Sequence, residues 1–221
     1  PVNSQIRDDT EAETRSPRNP PRSLLWWFFY WPASGGHVSW SLDNRGQPRH
    51  IRRGSAMKPS TRFRQLLAQP GLIMAPGAYD GLSAKLIEQA GFDVVYATGG
   101  GISRSCGYPD IGLLTMTEVL MHLRCIVEAT ALPVIGDCDT GYGNALNVMR
   151  AVREFERGGV AAFHLEDQIT PKRCGHYEGK EVVSCAEMCK KLEAALEART
   201  DPDLVIIART DARAMHGLED A

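Results

Sequence analysis

Two acidic residues set two apart at the end of an apolar run are the first sign of chemistry in this chain. The stretch Pro133-Val-Ile-Gly-Asp137-Cys-Asp139-Thr-Gly-Tyr-Gly143 passes from buried-strand character into two carboxylates and then into glycines. In an extended chain, residues i and i+2 share a face, so Asp137 and Asp139 are expected to point together at the strand tip while Cys138 points away. Two hard oxygen donors so placed suit Mg²⁺, an ion that takes one or two carboxylates and keeps waters for substrate oxygens. The same acids could instead only close a turn. A second apolar run, Val160 to Leu165, ends in Glu166 and Asp167, and Glu166 could do no more than pair with Lys172 or Arg173. The following Lys172-Arg173-Cys174-Gly175-His176 sets a thiol among cations, an environment expected to lower its pKa. Cysteines are more often buried and inert, but Cys174 lies far from any apolar periodicity.

These residues need elements to hold them, and the sequence from Leu72 onward supplies a repeating unit of strand, turn and helix. A first strand is expected at Leu72 to Ala75, leading through Pro76 to Gly81 into a helix with Leu82, Leu86 and Ala90 on one face and Gly91 as its stop. A second strand, Asp93 to Ala97, empties into Thr98-Gly99-Gly100-Gly101 and a loop with Cys106, Tyr108, Pro109 and Asp110. Thr115 and Glu118 form a capping box before Val119, Leu123, Ile126 and Val127; Ser184 and Glu187 form another before Met188, Leu192, Ala195 and Leu196. Between them Asn144 can cap a helix that buries Val148, Val152 and Phe155. A fifth strand, Leu204 to Ala208, finishes in Arg209-Thr210-Asp211.

Five apolar strands alternating with four helices predict an α/β protein with parallel strands covered by helices. Polar residues recur at strand C-terminal ends: Tyr79 and Asp80, Thr98 to Gly100, Asp137 and Asp139, Glu166, Arg209. That is where a (β/α)₈ barrel keeps its site, and also where a doubly wound open sheet does, so the pattern alone leaves both open.

The segments Asp137-Cys-Asp-Thr-Gly-Tyr-Gly, His164-Leu-Glu-Asp-Gln and Lys172-Arg-Cys-Gly-His resemble the isocitrate lyase and phosphoenolpyruvate mutase superfamily. They are most similar to its 2-methylisocitrate lyase and dimethylmalate lyase branch, with oxaloacetate hydrolase close by. The resemblance runs from about Phe63 to the last residue. It implies a (β/α)₈ TIM barrel of which residues 58–221 hold about the first five units, sixth to eighth strands being absent, and a homotetramer for complete members.

The implied reaction is Mg²⁺-dependent (Mn²⁺ possible) cleavage of a carbon-carbon bond in a 2-hydroxy di- or tricarboxylate, as in propionate catabolism. The products are an oxo acid such as pyruvate and a second carboxylate such as succinate. Asp137 and Asp139 take the metal positions, and Glu166 holds metal-bound water. Cys174 is the proton donor to the departing carbanion, with Lys172, Arg173 and His176 depressing its pKa and neutralising substrate. Thr98, Gly99 and Gly100 form a carboxylate cradle, and Arg209 binds a carboxylate. Gly175 belongs to the closing loop, while Gly77, Tyr79 and Asp80 line the mouth. Thr98 stands where the 2-methylisocitrate lyases have serine. The Lys-Arg-Cys-Gly-His loop separates this chain from the phosphoenolpyruvate mutases and phosphonate hydrolases, whereas oxaloacetate hydrolases retain it. A reading of another class is a partial barrel without activity, serving in binding or as a scaffold.

Composition narrows the partners. The chain has 221 residues and a net charge of -2, but residues 1 to 57 hold 8 Lys+Arg against 5 Asp+Glu, while 58 to 221 hold 17 against 22. An acidic body argues against nucleic acid. The six cysteines have neither CxxC pairing nor the density of a secreted scaffold, which predicts reduced thiols in the cytoplasm. Leu24 to Trp31 is the most apolar segment and is too short to span a bilayer, so no membrane partner is expected. Residues 1–57 read as a disordered or artefactual leader, with Met57 as the start.

Overall fold

The computed structural model describes residues 57–221 apart from 176, 178 and 220. The expected leader before Met57, with its aromatic segment, lies outside the described residues, as does His176. In chain order the elements are α1 (Pro59–Leu67), β1 (Gly77–Ala78), α2 (Gly81–Gln89), β2 (Val95–Ala97), α3 (Gly99–Ser105) and α4 (Met116–Ala129). They continue with β3 (Val134–Asp137), α5 (Ala145–Arg157), β4 (Ala162–Glu166), α6 (Cys185–Ala198), β5 (Val205–Arg209) and α7 (Ala212–His216).

All five strands are parallel and lie in the order β1-β2-β3-β4-β5. This order settles what residue pattern left open. A doubly wound sheet reverses direction partway along, whereas a barrel adds each strand beside the last. The chain therefore folds as consecutive units of a (β/α)₈ barrel.

Strand alternation sorts side chains onto two faces. On the outer face Val95, Ala97, Val134, Phe163 and Leu165 pack with Ile87, Leu123, Ile126, Val152 and Phe155 of the helices. Asn144 and Thr115 close reciprocal capping boxes, whereas Ser184 accepts from the Glu187 amide. On the inner face Val94, Ile135 and Ala162 pack around Phe63 of α1. That helix is fastened below β5, where Ser60 Oγ donates to Asp201 Oδ2 at 2.6 Å and Arg64 Nε donates to the Asp203 carbonyl at 2.9 Å. It plugs one end of the inner face and leaves the strands' C-terminal ends for polar groups.

Three expectations need correction. The first strand is Gly77–Ala78, not Leu72 to Ala75; Leu72 and Met74 are exposed, and ladder pairing begins only at Gly77 opposite Tyr96. Hydrophobicity alone does not make a strand without a partner backbone. In α2 the buried residues are Ala84 and Ile87, while Leu82 is 68% exposed. Gly81 lies so close to α4 that an added Cβ would sit 3.2 Å from the Cys125 carbonyl, and the side of α2 that carries Ala84 and Ile87 turns inward. Finally, the glycine turn after β2 is the start of α3, with Thr98 Oγ1 accepting from the Gly101 amide at 3.3 Å.

Candidate active site

Inner-face parity carries Tyr96, Asp137, His164, Glu166 and Arg209 to the C-terminal end of the sheet. Asp137 is buried and both oxygens of its carboxylate accept hydrogen bonds, leaving one lone pair on Oδ1. Oδ2 accepts from Tyr96 Oη at 2.9 Å and from the Gly99 amide at 3.3 Å, and Oδ1 accepts from the Asp139 amide at 3.2 Å. A Cβ on Gly99 would lie 2.8 Å from Asp137 Oδ2, so only glycine lets α3 start this close to the acid.

Asp139 and Asp137 do come together, but not for the reason extended-strand parity suggests. β3 ends at Asp137, and Asp139 has φ 47°, followed by Tyr142 at φ 62°. Left-handed backbone at non-glycine residues is costly and persists where the surroundings over-determine it. Here Glu166 N donates to the Asp139 carbonyl at 2.9 Å and Lys191 of α6 donates to the Thr140 carbonyl at 3.1 Å. Cys138 points into the outer core, as expected. Burial, then Asp137, raises the Asp139 pKa to about 6, with Lys172 opposing.

Lys172 is buried and its ammonium pairs with Asp110 at 2.5 Å and with Asp139 Oδ1 at 2.9 Å. Asp110 also accepts the Cys174 amide through its carbonyl at 3.0 Å. One residue from the loop after α3 thus holds both Lys172 and Cys174. Gln168 holds the same loop from within: its Oε1 accepts from the Arg173 amide at 2.8 Å while Nε2 donates to the Arg173 carbonyl at 2.9 Å and to Asp211 Oδ2 at 2.8 Å. The loop's base is zipped by an antiparallel bridge between Gln168 and Val182. Cys174 is buried at its centre. A Cβ on Gly175 would approach Arg209 Nη2 to 3.1 Å, so the loop passes directly over the arginine.

Glu166 pairs with Arg209 rather than with Lys172 or Arg173: Oε2 lies 2.9 Å from Arg209 Nη1. Arg209 also meets Asp211 at 3.1 Å. Burial is the largest influence on Glu166 and, with Asp137 and Asp139, raises its pKa to about 8 against the pull of Arg209. Burial lowers the His164 pKa; its ring lies tilted 5.1 Å from that of Tyr96, and its buried Nδ1 makes no hydrogen bond.

The donor set fits a hard divalent cation. Glu166 Oε1 is buried without a hydrogen bond, Asp139 Oδ1 is met by the Lys172 ammonium at 2.9 Å, and both oxygens lie at the strand ends around Asp137. Among the described residues no cluster of three His, Cys, Asp or Glu side chains forms a ready protein cage. Few carboxylates with the remaining positions left to water is the pattern of Mg²⁺.

Two expected residues have other duties here. Asp80 caps α2, its Oδ1 accepting from the Ser83 amide at 2.7 Å, and Tyr79 is partly exposed beside it. Of the Thr98 to Gly100 cradle, Thr98 Oγ1 and the Gly99 amide are already engaged by Gly101 and Asp137. Sequence reasoning missed Tyr96, Asp110, Gln168 and Asp211. Asp110 and Gln168 stand in stretches already singled out, and only their partners, 62 and up to 43 residues away, reveal the role.

The family described as phosphoenolpyruvate phosphomutase matches residues 63–221. The chain belongs to this family. Within it, the chain is 52% identical over 166 residues to 2,3-dimethylmalate lyase of Eubacterium barkeri, covering 75% of this chain and 57% of the relative. It is 48% identical over 159 residues to 2-methylisocitrate lyase of Shewanella oneidensis, covering 72% and 54%. The chain thus spans about half the length of these relatives. A solved oxaloacetate acetylhydrolase with the inhibitor 3,3-difluorooxalacetate superposes with TM-score 0.70 at 40% identity, over 73% of this chain and 57% of that one. Phosphonopyruvate hydrolase in complex with oxalate and Mg²⁺ gives 0.68 at 36% identity, over 74% and 56%.

Proposed function

We propose that this segment carries the metal-binding and proton-donating part of a Mg²⁺-dependent carbon-carbon lyase acting on a 2-hydroxy di- or tricarboxylate resembling 2-methylisocitrate. The observation that carries the reading is the convergence, at one end of the sheet, of the unpartnered Glu166 Oε1 and the Lys172-paired carboxylate of Asp139 with Asp137 and the anchored Cys174 loop. The lyase names of the relatives support it, and the Mg²⁺ complex of phosphonopyruvate hydrolase supports the metal.

Asp137 and Asp139 hold the ion, with Glu166 as a partner of its waters. The ion would supply charge stabilisation for the hydroxy-acid end of the substrate. The chain's own residues then do the rest. Lys172 neutralises Asp139 until substrate and metal arrive, and Arg209, held by Glu166 and Asp211, offers a planar fork to a substrate carboxylate. Cys174 protonates the carbon left when the bond breaks, and burial of its loop keeps water from competing for that carbanion. Glu166, beside the proposed ion position, is a second group able to exchange a proton with the substrate hydroxyl.

The test is Cys174→Ser in a protein carrying this segment. Turnover should fall at least about a hundredfold, the usual scale of a lost general acid, while Mg²⁺ affinity stays unchanged. Near-normal turnover would remove Cys174 from the chemistry. An oxaloacetate hydrolase is the second reading, supported by the structural match to oxaloacetate acetylhydrolase; release of oxalate from oxaloacetate, with no cleavage of 2-methylisocitrate, would select it.

A further inference from the structure

Away from the inner face, a second thiol meets a base. Cys106 closes α3, and its Sγ lies 3.3 Å from Nε2 of His122 on α4. The contact joins residues 16 apart, so it is made by the packing of one helix end against another element rather than by local sequence. Cys106 is exposed and His122 half-buried, which leaves the sulfur open to a small electrophile while the imidazole stays in place. A thiol becomes a nucleophile only as the thiolate, and an adjacent imidazole that takes its proton is a standard way of making one. None of the groups assigned to the lyase chemistry touches this pair in the contacts described above.

We propose that Cys106 and His122 form a modification site for peroxide and other small thiol-reactive electrophiles. His122 Nε2 takes the proton from Cys106 Sγ. The thiolate attacks one oxygen of hydrogen peroxide, the O–O bond breaks, and the leaving hydroxide takes the proton from the imidazolium to become water. Sulfur is oxidised by two electrons to the sulfenic acid and peroxide is reduced, so Cys-SH and HOOH give Cys-SOH and water. A second thiol would condense with the sulfenic acid, forming a disulfide and releasing another water. The site lies four residues before Asp110, whose carboxylate and carbonyl hold Lys172 and Cys174, so a bulky adduct would load the segment that anchors the candidate catalytic loop.

The protein carries its own references, because Cys125, Cys185 and Cys189 are also exposed. Cys189 is a slow reference in particular, since its neighbour Cys185 raises its pKa. The experiment treats the 221-residue chain at neutral pH with hydrogen peroxide and dimedone, and separately with iodoacetamide, and follows each cysteine by peptide mass spectrometry. Cys106 should be labelled about tenfold faster than the three references, because it alone of the four has an imidazole within reach to take its proton as sulfur attacks. His122→Gln, which keeps the size and a polar end but cannot take a proton, should bring Cys106 down to the reference rate and leave the other three unchanged. Equal rates at all four cysteines in the unaltered chain would overturn the proposal without any variant. So would a Cys106 rate untouched by His122→Gln in a protein with an unchanged thermal melt. If that variant does not fold, the comparison within the unaltered chain decides alone.

Discussion

The two ends of the inner face of one sheet are built on opposite rules. At the N-terminal end Phe63 sits among Val94, Ile135 and Ala162, and the polar contacts of α1 with Asp201 and Asp203 are partly solvated. At the C-terminal end, a few residues further along the same strands, Asp137, Asp139, Glu166 and Lys172 are packed together, Glu166 with an unsatisfied oxygen, beside a turn with two left-handed non-glycine residues. The first end stabilises the fold by removing apolar surface from water. The second costs stability, since buried carboxylates resist ionisation and strained backbone must be held by its surroundings. This contrast follows the division of labour between the two mouths of a barrel.

The largest effect expected from separating the ends is at the plug. Phe63→Ala should lower unfolding free energy by about 3–5 kcal/mol, the usual cost of a phenylalanine-sized cavity, while Mn²⁺ affinity of the folded molecules stays unchanged. Urea titration with and without metal would measure both; a destabilisation below 1 kcal/mol would mean that α1 does not plug the core. At the other end, Asp137→Ala should weaken Mg²⁺ or Mn²⁺ binding by more than about a hundredfold, beyond the 10–100-fold that is typical of losing a supporting group. Titration calorimetry that finds unaltered affinity would contradict the metal assignment.

The smallest effect is a slope. In metal-free protein Glu166 titrates near 8, above its ordinary value of 4.5, so the native state retains a proton that the unfolded chain gives up. The native state is therefore favoured most below the unfolded value, and stability should decline as pH rises through the interval between 4.5 and about 8. Asp139, raised to about 6, contributes with the same sign over a lower window. Glu166→Gln should flatten the upper part of the decline in urea midpoint. A midpoint that climbs across that interval, or a variant with an unchanged slope, would show that the Arg209 pair outweighs burial.

Much of this organisation was legible in residues alone. Thr115 and Asn144, with the helices that follow them, behaved as local capping and spacing rules require. Asp137, Asp139, Cys174 and Arg209 could be singled out because acids, a thiol and an arginine stand where apolar runs stop. These are short-range features, fixed by neighbours a few positions away.

What only the tertiary structure decided is who meets whom. Glu166 could have paired with either cation in the next loop and instead meets Arg209 across the β4–β5 register; Lys172, expected to act on the thiol, meets Asp110 and Asp139. The spacing of leucines pointed to the wrong face of α2, since the side that packs inward carries Ala84 and Ile87 while Leu82 is exposed. The choice between barrel and doubly wound sheet also had to wait for the strand order. Each of these outcomes depends on contacts between residues far apart in the chain. Sequence spacing sets the direction in which a side chain leaves its own element, and packing alone sets what lies in that direction.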